Sequence, residues 1–194
     1  SFTNCSFEHL GAAAVYFDIG CQDSLVSRGT FTDVSGAAVQ IGAFSDYNQS
    51  IAANRTANNT VEDSTVTGTP VEFHGSAALT AFITQGTTFR HNEITDTPYS
   101  AITLGWGWTT DVGEHGYSCC QRVEGNIIRG ATQMLFDGGS VYTLGNQPNS
   151  QIVRNHIFDQ QHYFKGSALY HDQGSGGWLD SQNVVHSLAG PRHG

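Results

Sequence analysis

The chain has 194 residues, with 8 Lys or Arg against 17 Asp or Glu, and its formal net charge is −9. Charged residues make up only 13% of the sequence, about half the usual share, and 23 residues are glycine, a balance that argues against a helical bundle. The acidic balance provides no basic stripe to neutralise phosphates, so we expect neither nucleic acid nor an anionic membrane surface as a partner.

The sequence predicts a single domain over residues 1–194, without a membrane-spanning segment. Its hydrophobic fraction of 38% supports a sizeable core in a chain of this length. No stretch approaches the roughly 18 consecutive apolar residues of a membrane span.

A three-residue pattern recurs along the chain, in which a small or amide residue precedes a β-branched or aromatic residue by two positions. Its occurrences lie 24 to 35 residues apart and are Cys5-Ser6-Phe7, Gly29-Thr30-Phe31, Ser64-Thr65-Val66, Asn92-Glu93-Ile94, Asn126-Ile127-Ile128, Asn155-His156-Ile157 and Asn183-Val184-Val185. Segments of period two accompany them at 36–42, 100–105, 140–145 and 167–172. Short strands separated by bends at such intervals predict an all-β fold, a parallel β-helix of about seven coils.

Four of these segments begin with asparagine, at Asn92, Asn126, Asn155 and Asn183. Asparagines that occupy one column of a solenoid can hydrogen-bond from coil to coil at about 4.8 Å and tolerate the left-handed backbone of a tight bend. The sequence therefore predicts an asparagine ladder.

Long intervals between strands predict loops that leave the solenoid at 44–58, 106–120 and 159–165, and loops of this kind are candidate walls of a site. The first predicted coil begins near residue 1 and the last ends near residue 190, so both ends of the stack would lack caps. We therefore expect a fragment of a longer chain, and uncapped ends also favour end-to-end self-association.

The four cysteines lack the spacing of a zinc site. Adjacent Cys119 and Cys120 rarely bond each other without strain, which makes a bridge between Cys5 and Cys21 the more plausible disulfide.

Four sequons predict glycosylation and give weak support for secretion; their asparagines are Asn4, Asn48, Asn54 and Asn58. The alternative is that Asn and Thr recur here because turns and ladders use them.

Several longer motifs resemble the right-handed parallel β-helix glycoside hydrolases of the pectin-lyase-like superfamily, especially the branch with α-L-fucosidase and xylanase activity. The motifs lie at 91–94, 98–102, 105–108, 137–145 and 170–175, and the resemblance spans most of the chain. It implies a right-handed solenoid and a secreted enzyme that acts on an oligo- or polysaccharide without a cofactor.

The resemblance also implies a catalytic pair of carboxylates, Asp137 and Asp172. One protonated carboxyl would donate its proton to the leaving glycosidic oxygen, while the other, ionised, would attack the anomeric carbon or activate water. This sequence departs from the family at His171 and Gln173, where we would expect an aliphatic residue and a glutamate. The alternative is that both aspartates only cap turns before glycines.

Trp106 and Trp108 lie on a glycine-flanked loop, and indole rings stack well on the apolar faces of sugars. We therefore expect both to form a wall of a substrate site; the alternative is that one of them, Trp108, packs over the surface of the solenoid. The further candidates for contact with sugar hydroxyls are Glu114, His115, Tyr142, His162 and His171, with Asp111 and Tyr117 on the same loop as Trp108. The nine histidines include no His-x-His pair, so we expect no metal site.

Two other functions compete with hydrolysis. A non-catalytic β-helix that binds glycans or serves as a structural, stacking element would use the same fold. A uronic-acid lyase or epimerase needs clustered cations or calcium-binding carboxylates, and a single lysine, Lys165, makes it the least favoured.

Overall fold

The computed structural model describes residues 1–108, 116–160 and 166–188. Within these ranges the chain forms short β-strands and two 3-10 helices, Asp46–Asn48 and Ala52–Asn54, and no helix is long and apolar enough to span a lipid bilayer. The strands in chain order are β1 (Phe2–Thr3), β2 (Ser6–Leu10), β3 (Val15–Phe17), β4 (Leu25–Ser27), β5 (Thr30–Val34), β6 (Val39–Ile41), β7 (Thr60–Glu62), β8 (Thr65–Thr67), β9 (Leu79–Ala81), β10 (Thr88–Arg90), β11 (Glu93–Thr95), β12 (Ile102–Leu104), β13 (Arg122–Glu124), β14 (Ile127–Arg129), β15 (Gly138–Thr143), β16 (Asn146–Val153), β17 (His156–Phe158), β18 (Gly166–His171), β19 (Gly176–Ser181) and β20 (Val184–His186).

The strands assemble into three parallel sheets that run the length of the solenoid. The first sheet has the order β1-β4-β7-β10-β13-β16-β19, the second β2-β5-β8-β11-β14-β17-β20, and the third β3-β6-β9-β12-β15-β18. Each strand pairs in parallel with its counterpart in the next coil, and the chain passes through the sheets in turn. This arrangement confirms the predicted all-β, right-handed parallel β-helix, with seven strands in each of the first two sheets.

The core is a set of stacked apolar columns, one under each sheet. In the second sheet the column joins equivalent positions of successive coils because the strands pair without a register shift. Its fully buried members are Phe31, Val66, Ile94, Ile128 and Ile157. β-Branched side chains suit these positions because they pack tightly against the same residue type one coil away.

The predicted asparagine ladder is confirmed. The Nδ2 atom of Asn92 donates to Oδ1 of Asn126 at 3.0 Å, Asn126 donates to Asn155 at 2.9 Å, and Asn155 donates to Asn183 at 3.0 Å. Ser64 extends the ladder by one coil, since its backbone N–H donates to Oδ1 of Asn92 at 3.1 Å. Buried amides are stabilised here because each finds a partner in the next coil.

The left-handed backbone at this corner does not belong to the ladder asparagines themselves. It belongs to the residue before each of them: His91 (φ 55°), Gly125 (φ 63°), Arg154 (φ 59°) and Gln182 (φ 59°). The bend thus occurs one residue earlier than the sequence suggested, and each ladder asparagine directly follows it.

The predicted disulfide between Cys5 and Cys21 is wrong, because both residues are free thiols in the structure. Ser6 pairs with Thr30, so Cys5 is level with Gly29 at the corner before the second sheet. Cys21 precedes β4, whereas Cys5 follows β1, so the two residues lie at opposite ends of the first-sheet strands. The register of the first two coils therefore separates two sulfurs that are close in sequence.

The segment between β6 and β7 leaves the solenoid as predicted, and contacts with Tyr117 anchor it. The Tyr117 hydroxyl donates to Oδ2 of Asp46 at 2.5 Å and accepts from the backbone N–H of Thr56 at 3.0 Å. The guanidinium of Arg55 lies 5.0 Å from the centre of the Tyr117 ring. These contacts hold the two 3-10 helices against the coil.

The four sequon asparagines, Asn4, Asn48, Asn54 and Asn58, are all exposed, and their glycosylation stays a prediction. The predicted loops at 106–120 and 159–165 lie partly outside the described residues.

Candidate active site

The outer face of the third sheet carries one row of side chains. In β3, β6, β9 and β12 the middle residue points outward between two inward neighbours, so each strand contributes a single outward position. The register aligns these positions along the solenoid as Tyr16, Gln40, Thr80, Thr103, Tyr142 and Tyr170. Small polar side chains in the middle of the row leave an open cleft of about 290 Å³.

Tyr99, Trp106 and Trp108 line the cleft together with the middle of the row. The Trp106 ring packs against Phe44 and Phe82, with ring centres 5.4 and 5.8 Å away, and it contacts Trp108 edge to face at 4.9 Å. Trp108 is 51% exposed. Trp106 is therefore the anchored member of the wall, and Trp108 presents its ring to the solvent.

Gly105 directs this wall away from the sheet. Its φ of +86° is left-handed, and a Cβ atom there would lie 2.0 Å from the carbonyl oxygen of Leu144 and 2.2 Å from Nε2 of Gln147. The buried Gln147 amide needs this space because it donates to the carbonyls of Leu104 and Leu144, each at 3.0 Å. Only glycine fits where β12 ends and the tryptophan loop begins.

Each of the two predicted catalytic aspartates accepts a hydrogen bond from a tyrosine at the end of the cleft. The Tyr170 hydroxyl donates to Oδ1 of Asp137 at 2.9 Å, and the Tyr142 hydroxyl donates to Oδ2 of Asp172. Tyr142 and Tyr170 are register partners, and their ring centres are 5.4 Å apart. Tyr99 donates to the backbone carbonyl of Asp137 at 2.8 Å, and its ring centre lies 6.3 Å from that of Tyr142. We call Tyr99, Tyr142 and Tyr170 the tyrosine cluster.

The electrostatics of the tyrosine cluster link both carboxylates to the same phenols. Burial, followed by the hydrogen bond to Asp172, raises the pKa of Tyr142 far above its ordinary value. The hydrogen bond to Asp137 is the main cause that raises the pKa of Tyr170 to about 12, and Asp172 adds to it. Burial and the charges of both aspartates raise the pKa of Tyr99. The three phenols thus stay protonated at neutral pH and can donate hydrogen bonds to carboxylates.

The glycines after Asp137 make room for the cluster. A Cβ atom on Gly138 would lie 2.5 Å from a ring carbon of Tyr99, and one on Gly139 would lie 2.6 Å from the carbonyl oxygen of Ser167. Asp137 itself has a φ of 62°, a conformation that aspartate tolerates better than most residues. The Asp-Gly-Gly motif is therefore required by close packing around the carboxylate.

His171 does not reach the cleft, contrary to the sequence expectation. Consecutive residues of a strand point to opposite sides, so His171 lies across β18 from Tyr170. Its Nε2 atom is 2.7 Å from Oδ2 of Asp180, and its Nδ1 atom is 2.8 Å from the hydroxyl of Thr143. The backbone carbonyl of Thr143 in turn accepts from the N–H of Asp172 at 3.0 Å. His171 thus braces the strand end that carries Asp172.

The sequence predicts Tyr142 at the site, and the structure adds Tyr99, Tyr170 and Asp180. Tyr170 lies in the outward row next to Tyr142, and the alignment of the two coils could have indicated this pairing. Tyr99 lies on a bend and Asp180 on a strand of the first sheet, so neither belongs to the outward row of the third sheet.

The remaining candidates on the loops are not tested. Glu114, His115 and His162 lie outside the described residues, as does Asp111. Tyr117 is buried under the loop with Asp46, and burial and that hydrogen bond raise its pKa to about 12. In the part of the chain that the structure describes, no three His, Cys, Asp or Glu side chains are arranged to hold a metal ion.

Comparisons with known proteins place this geometry in context. No protein-family model and no curated protein sequence matches the chain. A solved structure described as a glycoside hydrolase is similar, with a TM-score of 0.75 and 27% sequence identity over 95% of this chain. The match covers 34% of that protein, so the present chain spans about a third of its length. The chain is thus similar in fold and sequence to part of a glycoside hydrolase.

Proposed function

We propose that this solenoid carries the active site of a secreted glycoside hydrolase, with Asp137 and Asp172 as its carboxylate pair. The observation that carries the proposal is the pairing of both aspartates with neighbouring phenols at the end of a cleft that has two tryptophans in its wall. The similarity to a solved glycoside hydrolase supports the same reaction class. Four exposed sequons support secretion.

The cleft offers what a sugar requires. Thr80 and Thr103 form a polar floor in which the Thr103 hydroxyl donates to that of Thr80 at 3.2 Å. Gln40 extends this floor, and Trp108 supplies a flat apolar surface. A pocket with aromatic walls and a few convergent polar groups is typical of sites for small polar rings.

The chemistry requires two carboxyl groups in different protonation states. One donates a proton to the glycosidic oxygen as that bond breaks, and the other, ionised, attacks the anomeric carbon or removes a proton from the attacking water. Tyr142 and Tyr170 donate hydrogen bonds to Asp172 and Asp137 and so fix the positions of both carboxyl groups beside the cleft.

The test is release of reducing sugar from a panel of aryl glycosides and polysaccharides. Asp137→Asn and Asp172→Asn should each lower kcat by about 10²- to 10⁴-fold, because each removes one acid–base group. Asp63→Asn is the matched control, since Asp63 is also an exposed aspartate with a left-handed φ of 51° but lies outside the cleft. Added azide should rescue only the variant that lacks the nucleophile or base. Full turnover by both variants would refute the proposal.

The departure from the family motif at His171 and Gln173 favours a second candidate, a glycan-binding β-helix without turnover. His171 contacts Asp180 and Thr143. Gln173 stands where the family has a glutamate, so the end of β18 supplies no acid besides Asp172. Binding to a glycan of the panel with no release of sugar would support this alternative.

A further inference from the structure

A second pocket lies against the same pair of tryptophans as the cleft. It has a volume of about 320 Å³ and is lined by Phe44, Tyr47, Trp106, Gly107 and Trp108. We call it the aromatic pocket. Trp106 and Trp108 line both depressions, so they form a shared wall between the aromatic pocket and the cleft.

The lining of the aromatic pocket is four aromatic rings and a glycine, and none of these residues carries a charge at neutral pH. Phe44 is 56% exposed, Tyr47 43% and Trp108 51%. A group of large rings that stay open to solvent is a common mark of a binding surface, because burying them in the core would stabilise the fold further.

The pocket has a fixed shape on its loop side. Phe44 packs against Phe82 and Trp106, with ring centres 6.2 and 5.4 Å away. The same loop is tied to the solenoid through Asp46, whose carboxylate accepts from the Tyr117 hydroxyl at 2.5 Å. The rings of Phe44 and Trp106 are therefore held in place before any ligand binds, which reduces the entropy lost on binding.

We infer that the aromatic pocket binds a second sugar ring of the same oligosaccharide that occupies the cleft. This inference rests on the proposed function, because it takes the cleft as the site of the first ring. Continuity supports it: a chain that crosses the Trp106–Trp108 wall passes from one depression into the other. The volume is near the lower end of small-molecule pockets, about 300 Å³, and suits one ring. Sugar rings have apolar faces that stack on aromatic side chains while their hydroxyls stay in water.

Direct binding tests this inference without relying on catalysis. Calorimetry with xylobiose, xylotetraose and xylohexaose, and with the corresponding cello-oligosaccharides, should give an affinity that increases with chain length in at least one series. Tyr47→Ala and Phe44→Ala should each reduce the affinity for the longest ligand by about 3- to 10-fold and abolish most of the gain with length, because each removes one stacking surface.

Two controls keep the result interpretable. Ile127→Ala removes an exposed apolar side chain from the outer face of the second sheet and should change no affinity. Tyr47→Ala leaves the packing of Phe44 on Phe82 and Trp106 intact, so a loss in this variant does not reflect a disrupted loop. Near-ultraviolet circular dichroism would verify that the loop rings keep their packing.

The outcomes separate this inference from the proposed function. Length-dependent binding that Tyr47→Ala abolishes, with no hydrolysis of any substrate, would support the aromatic pocket and refute the hydrolase. Hydrolysis with no length dependence, or with equal length dependence in wild type and both variants, would overturn the aromatic pocket alone. Absence of any length-dependent gain in both series, including absence of binding, would also overturn it.

Discussion

The outer faces of the second and third sheets differ in the alternation of their three-residue strands. In β8 and β14 the central residue is buried and both neighbours are exposed, so each strand of the second sheet presents two side chains. In β6 and β12 the central residue points outward and both neighbours are buried, so each strand of the third sheet presents one. The second face is consequently covered by two adjacent rows, whereas the third has a single row with space around it.

The loops accentuate this difference. The segment with Phe44 and the turn at Gly105 both rise beside the third sheet, and their aromatic rings form a wall over its single row. On the second sheet, exposed side chains such as Thr65 and Thr67 lie side by side along the coils. In a solenoid, the phase of the strand alternation relative to the bends thus decides which face has room for a ligand.

The largest effect is expected from a large side chain placed in the single outward row of the third sheet. Thr103→Trp should place a large ring in the cleft and reduce glycan affinity or turnover by about 100-fold or more, because it occupies the ligand's volume. Thr65→Trp on the second sheet is the matched control and should leave both unchanged. Titration calorimetry and thermal unfolding of the two variants would measure this. A fully functional Thr103→Trp variant would show that the cleft is not the site.

The next largest effect is expected from the asparagine ladder, which stabilises the coils that carry both faces. Asn126→Ala should lower the free energy of unfolding by about 2 to 3 kcal/mol, since it leaves buried partners in the ladder unpaired. The affected groups include the carbonyl of Phe89 and Oδ1 of Asn155, which accept from Asn126 at 3.0 and 2.9 Å. Asn48→Ala, at an exposed position without a left-handed backbone, should change it by less than about 0.5 kcal/mol. Urea unfolding would measure both, and equal values would contradict the buried ladder.

The smallest effect concerns the loop between β6 and β7, which lies beside the third sheet. Tyr117→Phe should lower stability by about 1 kcal/mol at neutral pH, because it removes the hydrogen bond to Asp46. The folded-state pKa of Tyr117 is raised from 10 to about 12, so this phenol contributes fully below pH 10 and its contribution is lost as pH rises through about 12. The difference between wild type and variant should therefore shrink over that range in alkaline thermal melts. A stability difference that stays constant with pH would show that it does not depend on ionisation of Tyr117.

Part of the candidate site could be predicted from sequence because it follows short, local motifs. The resemblance to β-helix glycoside hydrolases indicated Asp137 and Asp172, and the glycine-flanked loop indicated Trp106 and Trp108. In the structure the two aspartates bind Tyr170 and Tyr142, and Tyr142 lines the cleft together with both tryptophans. The direction of His171 could not be read from its motif, since it depends on which side of β18 faces the cleft. The role of Tyr99 depends on space left by Gly138, a residue on the next coil.

The coil repeat, the buried columns and the asparagine ladder were determined by the sequence itself. Each depends on a residue type repeated at one position of every coil, and neighbouring coils then align these positions through backbone pairing alone. Tertiary structure decided what depends on lateral register and on loops. It separated Cys5 from Cys21, placed Tyr170 against Asp137, and brought Phe44 to Trp106 from a segment with no matching motif. The physical reason is that a ladder repeats one local interaction, whereas a site joins side chains whose contact is set by the path of the whole coil.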